Sequence, residues 1–486
     1  MNRSMSPRRA DRGIAAPSRS GMSALWCLIA ATFLALASGC AESTSIRVTP
    51  PVEKQYAFIN GRWFDGQAFQ PDTWYSVHGR LTRQVPPGPV ETVDLSGLYV
   101  VPPFGEAHNH NVEGPWNVQA VAQRYLQDGV FYVKNPNDVR DFALQIRQAI
   151  NVPTSIDATF AHAGLTGRGG HPAALYEEVL RVGRYEPAIG PIERGWFENR
   201  SYVVVETEAE VEAKWPVIVS GRPDFLKVYL VHSEDDGAGT TARTAHRMGL
   251  RPTLLPGIVA RAHAAGLQVT AHVETAADFR QAVRAGVDEL AHVPGWLLQG
   301  TADAEHARLT EEDARLAAEH KVRVVTTTVA GQAMPSLGDH HHQQGHHAGH
   351  GPEQDGSHHS SVGERLDNVL KDNLRLLQRA GVTLLIGSDH AETSLAEVMH
   401  LRTLHLFDNR TLLKMWCEAT PAAIFPGRHL AKFAEGYEAS FLALAGNPIE
   451  DFDQVRAIRR RFKQGVPLNG VLIQGAAWSA AGHSGH

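Results

Sequence analysis

Residues 100–111 read VVPPFGEAHNHN: an apolar run, two prolines, a glycine, and then His108 and His110 with one residue between them. In a β-strand, residues i and i+2 share a face, so the two imidazoles project together from the strand's end. Side by side they can hold one divalent cation, but a His-x-His pair alone fits many contexts. Its meaning depends on what the other strands supply.

Seven further apolar runs follow: FYVKN (131–135), DATFAHAG (157–164), FLKVYLV (225–231), LQVTAHV (267–273), DELAHV (288–293), VRVVTTTV (322–329) and VTLLIGSDH (382–390). Helical periodicity lies between them in DVRDFALQIRQAI, GIVARAHAAG, AADFRQAVRAG and TEEDARLAAEH. With the segment LYVVPPFGEAH (98–108), this predicts an α/β fold, a (β/α)8 TIM-like barrel over residues 99–425. A doubly wound open sheet fits less well, because no Gly-rich phosphate loop follows the first strand. Short alternating runs at 55–98, and again at 426–470, predict a small β-sandwich domain built from both chain ends, with 471–486 as a tail.

The 486-residue chain is 43% hydrophobic and 20% charged, the composition of a globular protein. Its first residues read differently. Arg3, Arg8, Arg9, Arg12 and Arg19 precede the apolar stretch ALWCLIAATFLALA, which is too short for a stable membrane span and reads as an export signal. Ala37, Ser38 and Gly39 before Cys40 resemble the bacterial lipoprotein box, with Ala37 where leucine is commoner. The implied product has a signal peptide at 1–39 removed, a lipid on Cys40 that tethers it to a membrane on the periplasmic or cell-surface side, and a linker at 40–54. Cleavage removes five arginines and one aspartate, a net +4, so the formal charge of −6 becomes −10, which argues against a nucleic-acid partner. Cys27 leaves with the signal, and Cys417 then has no partner for an internal disulfide. One stretch breaks the barrel pattern: residues 339–361, with His340, His341, His342, His346, His347, His350, His358 and His359 among Gly, Gln and Ser, read as a flexible insertion, for which covering the site, gathering zinc and a plain solvated loop are the competing readings.

Barrel active sites lie at the C-terminal ends of the strands, and several of these strands end on a metal-competent side chain. Strand 1 offers His108 and His110, strand 4 Lys227, strand 5 His272, strand 6 His292 and strand 8 Asp389. In this pattern the sequence resembles the amidohydrolase superfamily, in its binuclear subtype with a carboxylated lysine. LYVVPPFGEAHNH, GSDH, EATPAAIF and GYEASFLALAGNP carry the resemblance over roughly residues 55–470. FLKVYLV and the GLTGRGGHP loop lean it toward the imidazolonepropionase-like and Xaa-Pro dipeptidase-like members. The chain departs from the family pattern at PPFGEAHNH, at Ser440, where the closing strand usually has Asp, and in the histidine-rich insertion.

The resemblance implies two divalent metal ions, zinc first by ligand type: one on His108, His110 and Asp389, the other on His272 and His292. Lys227 would bridge them as a carbamate formed with CO2, since an ammonium has no lone pair to give. Asp389 is the expected catalytic proton acceptor, and the expected reaction is hydrolysis of an amide or peptide bond in a small molecule or dipeptide. Tyr229, on the face of Lys227, and His171, in the loop after strand 3, are candidate substrate-binding residues. His162 and His390 read as neighbours of the site, and His263, His320, His400 and His405 as helix-surface residues. The competing expectations are a lactone or phosphotriester hydrolase, a one-metal deaminase using Glu274, and a non-catalytic metal-binding surface lipoprotein.

Overall fold

Pro102 and Pro103 lack amide hydrogens and cannot serve a continuous ladder, so the chain changes sheet at that point. In the computed structural model, residues 54–235, 248–296, 301–333 and 357–468 are described, with side chains given for all of these except 301–303, 332–333 and 357–367. Before the prolines come β1 (Gln55–Phe64), β2 (Phe69–Val77), β3 (Arg80–Thr82), β4 (Val90–Asp94) and β5 (Tyr99–Val101). After them come β6 (Phe104–Glu106), β7 (Val130–Asn135), β8 (Asp157–Phe160), β9 (Gly164–Thr166), β10 (Tyr202–Val204), β11 (Leu226–Tyr229), β12 (Val269–His272), β13 (Glu289–Ala291), β14 (Arg323–Val325) and β15 (Leu384–Leu385). The chain closes with β16 (Phe441–Leu444), β17 (Ile458–Lys463) and β18 (Val466–Pro467). The run expected as the first barrel strand is therefore two strands, β5 and β6, in different sheets.

The strands of the two chain ends form one eight-stranded sheet, ordered β18-β17-β16-β5-β1-β2-β3 with β4 beside β1. All eight strands are hydrogen-bonded as one continuous sheet that curls round a core. Leu81 N–H donates to Tyr437 O at 2.7 Å and Ala439 N–H to Gly79 O at 2.8 Å, which ties the β3 edge to the segment entering β16. The curl encloses Tyr56, Phe58, Trp63, Phe441 and Phe462, with Phe58 packed edge-on against Phe441 and Phe462 at centroid distances of 4.8 and 5.0 Å. Asp157 of β8 joins this sheet to the α/β part: its carboxylate lies 2.7 Å from both Lys463 and Arg428, and the Lys463 side chain is wholly buried.

The central part is mixed α/β with parallel strands: β6-β7-β8 in one sheet and β10-β9-β11-β12-β13-β14-β15 in the other. These strands are apolar and buried along their length because helices cover them. Their helices begin where the sequence supplies caps. Thr275 and Asp278 form a reciprocal capping box for Ala276–Ala285, Thr310 and Asp313 do the same for Glu311–Glu319, and Gly286, at φ 85°, ends the first of these. The two sheets meet through backbone bonds on both sides. Ala107 N–H donates to Ile386 O at 2.8 Å and Asp389 N–H to His108 O at 2.7 Å, while Asp224 N–H, just before β11, donates to Phe160 O of β8 at 2.8 Å. His162, at φ 59°, interrupts what the sequence presents as one third strand and splits it into β8 and β9.

The export signal, Cys40 and most of the histidine-rich insertion lie outside the described residues. The insertion's end, 357–361, is the start of the helix Ser357–Arg379, so this part is helical rather than loop.

Candidate metal centre

The ends of β6, β12, β13 and the segment after β15 converge. His110 Nε2 lies 3.3 Å and His108 Nε2 3.7 Å from Asp389 Oδ1, and one potential ligand atom from each of the three residues falls within 4.8 Å of the others. The His108 and His292 rings are 4.8 Å apart and those of His292 and His272 4.6 Å, so the four imidazoles are contiguous. Lys227 is 1% exposed, and its Nζ makes no hydrogen bond among the described residues. Its nearest described ring partner is Tyr229, with Nζ 5.2 Å from the centroid. The four histidines and Asp389 thus form one group in which His110 keeps partial exposure, and Lys227 is buried on β11, whose Tyr229 pairs with His272 of β12.

Close backbone approach makes this possible. A Cβ on Gly387 would lie 2.4 Å from Val325 Cγ1 and 2.9 Å from His108 N, so only glycine lets the last strand come this near the first. A Cβ on Gly164 would lie 2.4 Å from Tyr229 Cε2 and 3.3 Å from Lys227 Cγ. Strand ends around the site also hold left-handed backbone at non-glycine residues: His292 (φ 80°), Asp389 (φ 55°) and the β-branched Thr327 (φ 43°). Such conformations cost on the order of 1–3 kcal/mol each and cluster at functional sites.

The hydrogen bonds select which ring nitrogen is available. His110 Nδ1 meets Asn137 O at 3.1 Å and His292 Nδ1 meets Thr327 Oγ1 at 2.8 Å, which leaves Nε2 as the ligating nitrogen of each, that of His110 facing Asp389. His272 is reversed: its Nε2 meets Glu274 Oε1 at 3.1 Å, which leaves Nδ1. Trp296 stacks on His292 at 4.0 Å and fixes its plane. Beneath the site, buried Glu106 accepts from Ser388 Oγ at 2.6 Å and Ser388 N at 2.8 Å, clamping β6 to the segment that carries Asp389.

Electrostatics favours donor forms. Burial, aided by the Lys227 charge, holds His108 well below the usual imidazole range and His272 at about 3, and burial holds His292 far down as well, so each is a neutral ligand with a lone pair. Burial alone would raise the Asp389 carboxyl, but His390, His110, His108 and His292 together hold it well below the usual carboxylate range. Burial brings the Lys227 amine down to about 7, a shift that Lys134 assists and Asp389 and Glu289 oppose. The donor set therefore fits divalent cations: three neutral imidazoles, one carboxylate, His110 beside them, and a buried amine without a hydrogen-bond partner among the described residues.

Of the other expected residues, Tyr229 is buried, with His171 and His272 at ring distances of 5.1 and 5.6 Å, and His171 stacks on His272 at 4.8 Å. His171 is therefore not a free loop histidine. His390 lies 3.5 Å from Asp389, in the site's wall, whereas the His162 ring is tied to Asp138 at 3.1 Å. His400 is not a plain surface residue: its Nδ1 lies 2.8 Å from Thr328 Oγ1. Sequence reading did not find Asn137, Thr327 or Trp296. The only signal for Thr327 was the polar TTT run ending an apolar strand.

No family model matches the sequence, and no curated protein matches it either. Solved structures do match. An amidohydrolase superposes with TM-score 0.61 at 20% identity, covering 85% of this chain and 98% of its own. The chain has the amidohydrolase fold. A prolidase complexed with N-methylphosphonate-L-proline gives TM-score 0.61 at 18% identity over 85% of this chain and 99% of its own. The ochratoxinase of A. niger gives 0.63 at 15% identity over 85% and 95%.

Proposed function

We propose that this chain is a metal-dependent hydrolase that cleaves an amide or peptide bond in a small substrate, the parallel strands closing as a (β/α)8 barrel around the centre. The backbone bonds joining β6 to the segment after β15, and β8 to the start of β11, support that closure. The observation that carries the activity is Lys227: a fully buried amine with no hydrogen-bond partner among the described residues, whose charge is felt by His108, His272, His292 and Asp389. An isolated buried amine is costly, and a role that consumes its positive charge explains why it is kept.

In this reading the neutral Lys227 amine attacks CO2. A C–N bond forms, one proton leaves to solvent, and the resulting carbamate carries a single negative charge shared by its two oxygens. His108, His110 and Asp389 would hold one cation, His272 and His292 the other, and the Lys227 carbamate would serve both. Two bound divalent ions, zinc first, supply Lewis acidity that brings the pKa of water from about 15.7 toward ~7 and polarises the scissile carbonyl. Asp389, ionised and against His110, accepts the nucleophile's proton and passes it to the leaving nitrogen. Tyr229 keeps its phenolic proton, because burial raises its pKa well above the usual value, and can donate to a substrate oxygen; neutral His171 stands beside it. The solved prolidase and the Xaa-Pro dipeptidase that share this fold favour a dipeptide ending in proline, with N-acyl amino acids next. Export on a lipidated Cys40 belongs to the same proposal.

The test is turnover by the purified chain, loaded with zinc and bicarbonate, across Xaa-Pro dipeptides, other dipeptides, N-acyl amino acids, lactones and phosphotriesters. Hydrolysis confined to the last two classes, or none in any class, rejects amide hydrolysis.

A further inference from the structure

Arg184 ends the helical segment Leu175–Tyr185 and belongs to none of the candidate ligands. Its Nε lies 2.6 Å from Glu113 Oε1, with side-chain exposures of 35% for the arginine and 7% for the glutamate. Glu113 is three residues past His110, on the loop that leaves β6, and Asn117 Nδ2 donates to its other oxygen at 3.1 Å. The buried Glu113 side chain therefore holds the guanidinium through Nε. Nη1 and Nη2 have no hydrogen-bond partner among the described residues. Asn117 Nδ2 also donates to Asn111 O at 2.9 Å, one residue past His110, so the Glu113–Arg184 pair is tied to the segment that carries this ligand. The His390 ring stacks on His110 at 5.8 Å.

A guanidinium anchored at Nε with its Nη edge free is preorganised for a planar anion, which it binds through two parallel N–H bonds. We propose that Arg184, oriented by Glu113, recognises a carboxylate of the substrate, so that the centre selects amides that carry a free carboxylate over neutral ones. This rests on the hydrolase reading for the identity of the substrate, but the Arg184 contact is an equilibrium property that does not need turnover. Partial exposure lets the anion enter with some of its water, and the neutral amide analogue leaves the fork unpaired. The preference expected from two charge-assisted bonds is about 10–100-fold.

The experiment measures binding of N-acetyl-L-proline and N-acetyl-L-prolinamide to the zinc-loaded full chain by calorimetry. Wild type should bind the carboxylate at least 10-fold more tightly than the amide. Arg184→Met should abolish the preference with little change in amide affinity, Arg184→Lys should keep part of it, and Glu113→Gln should fall between. An unchanged preference in Arg184→Met overturns the assignment and leaves the hydrolase reading untouched, because the carboxylate would then be held elsewhere. Equal binding of the two probes by wild type, or binding of neither, overturns it as well. Absence of turnover with an intact carboxylate preference would sink the hydrolase reading alone. Matched near-UV circular dichroism of the variants guards against misfolding.

Discussion

Replacing Lys227 with methionine should move stability in opposite directions depending on whether metal and bicarbonate are present. Without them, Lys227 is a buried amine held at about 7, against 10.5 for an exposed lysine. The unfolded chain binds the extra proton, so this residue opposes folding most below pH 7, less as pH rises, and not at all above about 10.5. At pH 8 the gap between 10.5 and the solution is about 2.5 units, or roughly 3 kcal/mol at 1.36 kcal/mol per unit. Methionine nearly fills the same volume without a charge to desolvate. In EDTA and CO2-free buffer at pH 8 the variant should therefore be more stable by about 3 kcal/mol, with the advantage shrinking toward pH 10. With zinc and bicarbonate at about 1,000 times the metal Kd the order should reverse, because only wild type can form the carbamate and such binding adds about 4.1 kcal/mol, more than the variant's advantage. Urea titrations followed by tryptophan fluorescence at several pH values, together with a metal count per chain, test both halves. A variant that is less stable in EDTA, or whose advantage grows with pH, refutes the electrostatic argument. A variant that still holds two metals per chain refutes the bridging role.

Asp389→Asn should lower kcat by about 10²–10⁴ by removing the proton acceptor, read in the amide assay with metal content measured alongside. Gly387→Ala must relieve a 2.4 Å contact with Val325 and a 2.9 Å contact with the His108 amide. It should cost about 1–3 kcal/mol in thermal or urea denaturation and, by displacing His108 by roughly 1 Å, about 10²-fold in rate; an unaltered variant would show that the strands are not held this close. Asp157→Ala leaves the buried Lys463 without its carboxylate partner at 2.7 Å and should destabilise the chain by about 3–5 kcal/mol in urea, with little effect on metal content.

Much of the site was legible because strand chemistry is periodic. His108 and His110 two apart, and single polar residues ending otherwise apolar runs, point to one end of a parallel sheet whatever the details of packing. The helices between were equally readable, since Thr275 and Thr310 with an acid three residues on are local signals. The curled shape of the eight-stranded sheet was not readable, because the bonds from Leu81 to Tyr437 and from Ala439 to Gly79 join residues more than 350 positions apart, which no local pattern encodes. Nor was the split at His162, where a left-handed residue breaks an otherwise uniform apolar run.

The sequence by itself determined the candidate ligand types, their order along the chain, and the strand ends from which they project, because side-chain direction in a strand follows from spacing alone. Only the tertiary structure decided that Lys227 has no hydrogen-bond partner among the described residues, that Thr327 and Glu274 leave different nitrogens to ligate on His292 and His272, and that Glu113 holds Arg184. Those features depend on burial and on contacts between distant segments. Both are properties of packing in three dimensions, and the one-dimensional pattern carries no trace of them.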